Sequence, residues 1–167
     1  MFKQACGAAA ALAIGIGCAG GATAAPGGDE AAIRALEARF AAAVTAKNVD
    51  AIMKVYAPDV FVFDVVPPRQ YVGGAAYRKD WEALMSGFKG PLKFGVSDLA
   101  VDVAGPVAWS HSIQHIAGVD PTGQPSDMTV RVTDVYRKTA EGWRIVQEHV
   151  SVPVDPATGK ADLQSKP

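Results

Sequence analysis

Met128 to Pro153, MTVRVTDVYRKTAEGWRIVQEHVSVP, constrains this chain more than any other stretch. It reads as two long strands joined by a short turn. Val130, Val132, Asp134 and Tyr136 alternate with Thr129, Arg131, Thr133, Val135 and Arg137, so each set owns one face of the first strand. Thr139-Ala140-Glu141-Gly142 supplies the turn, with Gly142 free to take positive φ. The second strand runs from Trp143 to about Val152 and ends at Pro153, which has no N–H for a ladder. Asp134 interrupts an apolar face. A carboxyl there is paired, exposed in a cavity, or held neutral by desolvation. The plain structural alternative is an Asp bonded to a neighbouring Arg or to backbone.

The rest of the chain supplies the elements that cover this hairpin. Ile33, Leu36, Phe40, Ala43 and Val44 recur at helical spacing in a helix from Asp29 to about Lys47, with Arg34, Glu37 and Lys47 off that stripe. Asp50 opens a short helix to Tyr56, stopped by Ala57-Pro58. Val60 to Val66 is an apolar strand interrupted by Asp64. After Gly73-Gly74 a third helix, Ala75 to Phe88, carries Tyr77, Trp81, Leu84, Met85 and Phe88 on one side. Two further strands, Leu92 to Val103 and Val107 to Val119, precede the hairpin. Helices first and a meander after predict an α+β domain, helices packed on one face of a curved antiparallel sheet.

With 167 residues the chain suits one domain, and a net charge of −1 favours neither nucleic acid nor an anionic membrane surface. Residues 1–24 have the form of a secretory signal peptide: Lys3, an apolar run from Ala5 to Ala19 too short to span a bilayer, and a small-x-small site at Ala22-Thr23-Ala24. Gly15-Ile16-Gly17-Cys18 also resembles a lipoprotein cleavage box, but its first position holds Gly where that box usually has Leu. The expected product is therefore an exported protein, periplasmic or secreted, without an anchor at Cys18. Cleavage after Ala24 removes both cysteines, Cys6 and Cys18, and with them any disulfide or thiolate metal site. The domain would span residues 25–154, followed by a polar tail, 155–167, with no periodicity and no expected order.

The candidate pocket gathers Asp64, Asp134, His111, His115 and His149, with Tyr56, Trp81, Trp109 and Tyr136 as walls. His111 and His115 lie four residues apart on one strand, about 13 Å, too far to share a metal. No three ligands converge, so no metal is expected. No Gly-rich phosphate loop or nucleophile elbow occurs, so no cofactor is implied.

Several of these residues carry a family resemblance. Tyr56-Ala57-Pro58-Asp59, Val60 to Asp64, the Gly73-Gly74 break, and Arg131 to Tyr136 through Gly142-Trp143 to Glu148-His149-Val150-Ser151-Val152-Pro153 resemble the SnoaL-like, ketosteroid-isomerase-like branch of the NTF2-like superfamily. The last hairpin is also distantly similar to the association domain of calmodulin-dependent kinase. The resemblance, from about Ile33 to Val154, implies a cone closed by helices. It also implies a base eight residues after a Tyr-Ala pair begins, which is Asp64. A protonated Asp that donates to an oxyanion falls on Asp134. A Tyr hydroxyl in the first helix falls on Phe40, which has none. Losing one such donor costs on the order of 10²–10³ in rate, so steroid isomerisation is disfavoured.

Two classes of function remain open at this point. One is acid–base isomerase or lyase chemistry on a small apolar molecule, with Asp64 as base and Asp134 or a histidine such as His149 donating to oxygen. The other is a non-catalytic module: Arg131 and His149 holding a carboxylate or peptide end deep in the cone, or a mixed sheet face building a homodimer.

Overall fold

The computed structural model describes residues 26–164. The leader, with its alternative lipid site at Cys18, lies outside the described residues. Three helices come first or interleave with the opening strands: α1 (Pro26–Thr45), α2 (Val49–Met53) and α3 (Gly74–Ser86). The strands are β1 (Tyr56–Phe63), β2 (Tyr71–Val72), β3 (Lys89–Ala104), β4 (Val107–Val119), β5 (Pro125–Thr139) and β6 (Gly142–Ser151). They form one six-stranded sheet in the order β2-β1-β6-β5-β4-β3. β1 runs parallel to β6; every other pairing is antiparallel. The expected α+β architecture is the observed one, a curved open sheet with its helices on one side. β2 has no counterpart in the sequence reading, because a strand of two residues has no period to read.

Local chemistry explains the boundaries. Asn48, not Asp50, caps α2: its side chain accepts from the Ala51 N–H. Gly73 enters α3 at φ 84, in the left-handed region that favours glycine. α1 lies against β3 and α3 against β1. Ile33, Leu36, Phe40 and Val44 of α1 are buried as expected, and so is Glu37, at 3% exposure. Its place off the apolar stripe is therefore corrected. Glu37 follows Ile33 by four residues and precedes Phe40 by three, which is the inward direction of this helix.

Two irregularities in the sheet redirect its side chains. β3 bulges between Ser97 and Ala100, with Asp98 at φ 53. β6 bulges opposite Val135–Tyr136: Val135 pairs with Gln147 and Tyr136 with Ile145, so Val146 is an extra residue. Before it Trp143 and Ile145 point inward; after it the buried residue is Glu148, while Gln147 and His149 are exposed. The extra residue inverts the alternation.

The tail expected to lack order folds back along the sheet as far as it is described. Val154 bridges Ala161, Asp162 N–H donates to the Pro153 carbonyl at 2.8 Å, and Thr129 N–H donates to the Leu163 carbonyl at 2.7 Å. Gly118 marks a close approach within the core: a Cβ there would lie 2.7 Å from Phe88 Cδ1. Gly118→Ala is expected to cost about 1–3 kcal/mol through forced repacking of that ring. Chemical denaturation of the variant checks this, and an unchanged midpoint would refute it.

Candidate functional site

β1, α3 and β6 converge where the sheet curls under the helices. Here a hollow of about 60 Å³ is walled by Asp64, Tyr77, Asp80, Trp81, Phe94, Gln114, Met128 and Glu148, among others. Its apolar lining is hydrocarbon and aromatic; its polar lining is mostly acidic. Asp64, just past the end of β1, is half-buried, and its Oδ1 accepts the Val65 N–H at 2.5 Å. Neither Arg69 nor Arg131 pairs with it. The Tyr77 hydroxyl lies 3.4 Å from Asp64 Oδ2 and donates a short hydrogen bond to Glu148 Oε1. Tyr56 donates to the other oxygen, Glu148 Oε2, at 2.8 Å. Two phenols thus bracket one buried carboxyl, and one of them bridges it to Asp64. At the rim, Tyr71 donates to Asp80 Oδ1 at 2.7 Å.

A second layer lies behind the first. Tyr136 donates to Glu37 Oε1 at 2.8 Å, shares a hydrogen bond with Ser110 Oγ at 2.8 Å, and stands 3.5 Å from Asp134 Oδ2. Asp134 is 1% exposed and pairs in register with Glu148 across β5 and β6. Its Oδ1 is buried without a hydrogen-bond partner. A neutral acid tolerates that position better than an anion does.

No ion pair among the described residues reaches Glu37, Asp64, Asp80, Asp134 or Glu148. Burial without a counter-charge therefore sets their titration. Desolvation is the main cause in every case. It lifts Glu148 to about 7 and raises Glu37 and Asp80. Asp64 is raised by burial and then by Asp80. Asp134 is raised well above the carboxylate range by burial, then by Glu148 and Glu37. Glu148 therefore exchanges its proton near neutrality. Among the described residues no group of three or more His, Cys, Asp or Glu is arranged to hold a metal.

The constellation expected from sequence divides into three parts. Asp64 and Trp81 line the hollow. Asp134, Tyr56, Tyr136 and Phe40 are interior but do not line it; Asp134 stands behind Glu148, and Phe40 is a core ring packed edge-on against Tyr56, Trp81 and Phe94. Trp109, His111, His115, Arg131 and His149 are exposed on the opposite face of the sheet. For His149 the cause is the β6 bulge. For Trp109 and His111 it is composition: the inward face of β4 is Ala108, Ser110, Ser112, Gln114 and Ile116. Small polar residues belong there because Ser110 serves Tyr136. Glu148, Tyr77 and Glu37 are polar members of the site that sequence reasoning missed. Helical spacing marks Glu37 and Tyr77 as inward. Nothing in a period-two reading of β6 marks Glu148.

The comparisons with known proteins fit this architecture. Residues 33–155 match the SnoaL-like domain family. An NTF2-like protein of unknown function from Pseudomonas putida KT2440 is 30% identical, with a TM-score of 0.75, covering 86% of this chain and 99% of its own. An NTF2-like superfamily protein from Salmonella enterica serovar Typhimurium is 19% identical, with a TM-score of 0.71 and coverages of 83% and 100%. An NTF2-like family protein from Streptomyces avermitilis, provisionally named a dehydratase, is 18% identical, with a TM-score of 0.66 and coverages of 76% and 97%. No curated protein matches the chain. With most of its length matched by that family and by a 30% identical structure, the chain belongs to the SnoaL-like family of the NTF2-like superfamily.

Proposed function

We propose that this is an exported protein whose interior hollow takes a small, largely apolar molecule bearing one oxygen, and that it carries out acid–base isomerase or lyase chemistry there. The observation that carries the reading is the Asp64–Tyr77–Glu148 bridge on the wall of the hollow. Asp64 removes a proton made acidic by the ligand's carbonyl. Glu148, lifted to about 7 and so half-protonated near neutrality, delivers a proton to the oxygen where charge develops. The Tyr77 hydroxyl then offers a return route for the proton from Asp64 to Glu148. Glu148 takes the donor role expected of Asp134. The relative provisionally named a dehydratase is consistent with chemistry of this class on the same fold. Non-catalytic binding at the same place is a second reading, favoured by the narrowness of a hollow of about 60 Å³.

A thermal-shift screen of small ketones and β-hydroxy ketones identifies binders, and NMR then follows exchange of their α-protons with solvent. Exchange above background is expected with at least one binder, and Asp64→Asn should slow it about 10²–10⁴-fold while binding persists. Binders whose α-protons never exchange faster than in buffer would leave only the second reading.

A further inference from the structure

The larger hollow lies on the other side of the sheet. It is a basin of about 700 Å³, bounded by Asp98 at the β3 bulge, Ile113, Arg131, His149, Ser151 and Pro153. Register fixes its chemistry. His111, Thr133 and His149 form one row across β4, β5 and β6, and Ile113, Arg131 and Ser151 form the next. Neighbouring strands lie about 4.8 Å apart and successive outward rows about 7 Å. Arg131 therefore sits on the middle strand, diagonal to an imidazole on each side.

Arg34, Arg78, Arg137 and Arg144 are all ion-paired. Arg131 has neither an ion pair nor a side-chain hydrogen bond among the described residues, so its fork of donors is free. The acid of the basin, Asp98, takes a hydrogen bond from Ser97 Oγ at 3.2 Å and stands on β3, two strands from Arg131. Beside Arg131, the Ser151 hydroxyl and the His149 ring add donors. His149 is held edge-on by Phe63, with ring centres 5.7 Å apart. Ile113 and Pro153 give the basin apolar walls.

We infer that this outer basin binds an amphipathic carboxylate, its head on Arg131 with Ser151 and His149, its apolar body along Ile113 and Pro153. The guanidinium fork matches a carboxylate in two parallel hydrogen bonds, which a point charge cannot do. The site is independent of the interior chemistry proposed above. Octanoate is the probe, and 1-octanol its uncharged counterpart, each titrated into the ¹⁵N-labelled protein by NMR. Octanoate should saturably shift the amides of Arg131, His149 and Ser151, and octanol should bind at least about tenfold more weakly. Arg131→Ala should weaken octanoate at least about tenfold and Arg131→Lys by less, both with the wild-type melting temperature, since Arg131 is exposed. Asp64→Asn should leave octanoate binding unchanged, which separates this site from the interior one. Equal affinity for octanoate and octanol would overturn the assignment, as would octanoate shifts confined to the interior hollow. A protein that is dimeric and becomes monomeric on Thr133→Arg would also overturn it, by showing that a second copy covers the basin.

Discussion

Urea unfolding at pH 8 is expected to show a protein about 2–3 kcal/mol less stable than at pH 5. Glu148 alone supplies that figure. Its carboxyl titrates at about 7 in the fold against an ordinary 4.5, and each unit is worth about 1.36 kcal/mol. The sign follows from the direction. A raised value means that the folded state binds the proton more tightly than the unfolded chain does. Stability is therefore fully present below about 4.5 and is lost as the pH rises through about 7. Asp134, Asp64, Glu37 and Asp80 are displaced the same way, also through burial, so they deepen the loss. Asp29, Asp120 and Asp155 are displaced downward by hydrogen bonds, but they act below 3.8, outside this window. Glu148→Gln removes the titrating proton and should flatten the profile between pH 5 and 8. Stability that rises over that interval, or a variant with the wild-type slope, would show that the interior carboxyls are not neutralised by protonation.

Phe40→Ala is expected to cost about 3–5 kcal/mol, the range for removing a large buried ring whose surroundings cannot collapse. Phe40 is 2% exposed. Its edge-on partners, Tyr56 at 6.2 Å, Trp81 at 5.5 Å and Phe94 at 5.6 Å, come from β1, α3 and β3. One ring on α1 therefore ties three other elements together. Phe40→Leu refills most of the volume and should cost clearly less. Denaturant midpoints at pH 5, below the titration of Glu148 at about 7, separate the packing effect from the loss of that proton. A loss below about 1 kcal/mol for the alanine variant would mean that the neighbouring rings close the gap.

The fold was legible because its signals are long. α1 and α3 carry helical stripes over several turns, and β4 and β5 are long strands whose faces alternate over most of their length. The site was legible only in part. Asp64 can be found because it interrupts an apolar strand, and it does line the hollow. Asp134 falls on the correct face for the same reason, yet it lies a layer too deep, since depth along a face is not encoded in alternation. Hydrophobicity alone points Trp109 and His111 inward, whereas a buried tyrosine that needs a hydroxyl partner selects Ser110 instead. Glu148 is hidden by a bulge that no residue type announces.

Val146 thus has a meaning beyond local geometry. Were the same residues laid out in β6 without the bulge, the alternation set by Trp143 and Ile145 would carry straight on. An imidazole would then face the two phenols, and the acid would face the outer basin. A homologue that lacks both Val146 and the bulge would still turn the acid inward, whereas one that keeps the residue but pairs regularly would hold the opposite ionisable group inside the same scaffold. Transfer of a catalytic assignment between such relatives is sound only after both the residues between Ile145 and Glu148 and their pairing with β5 have been checked.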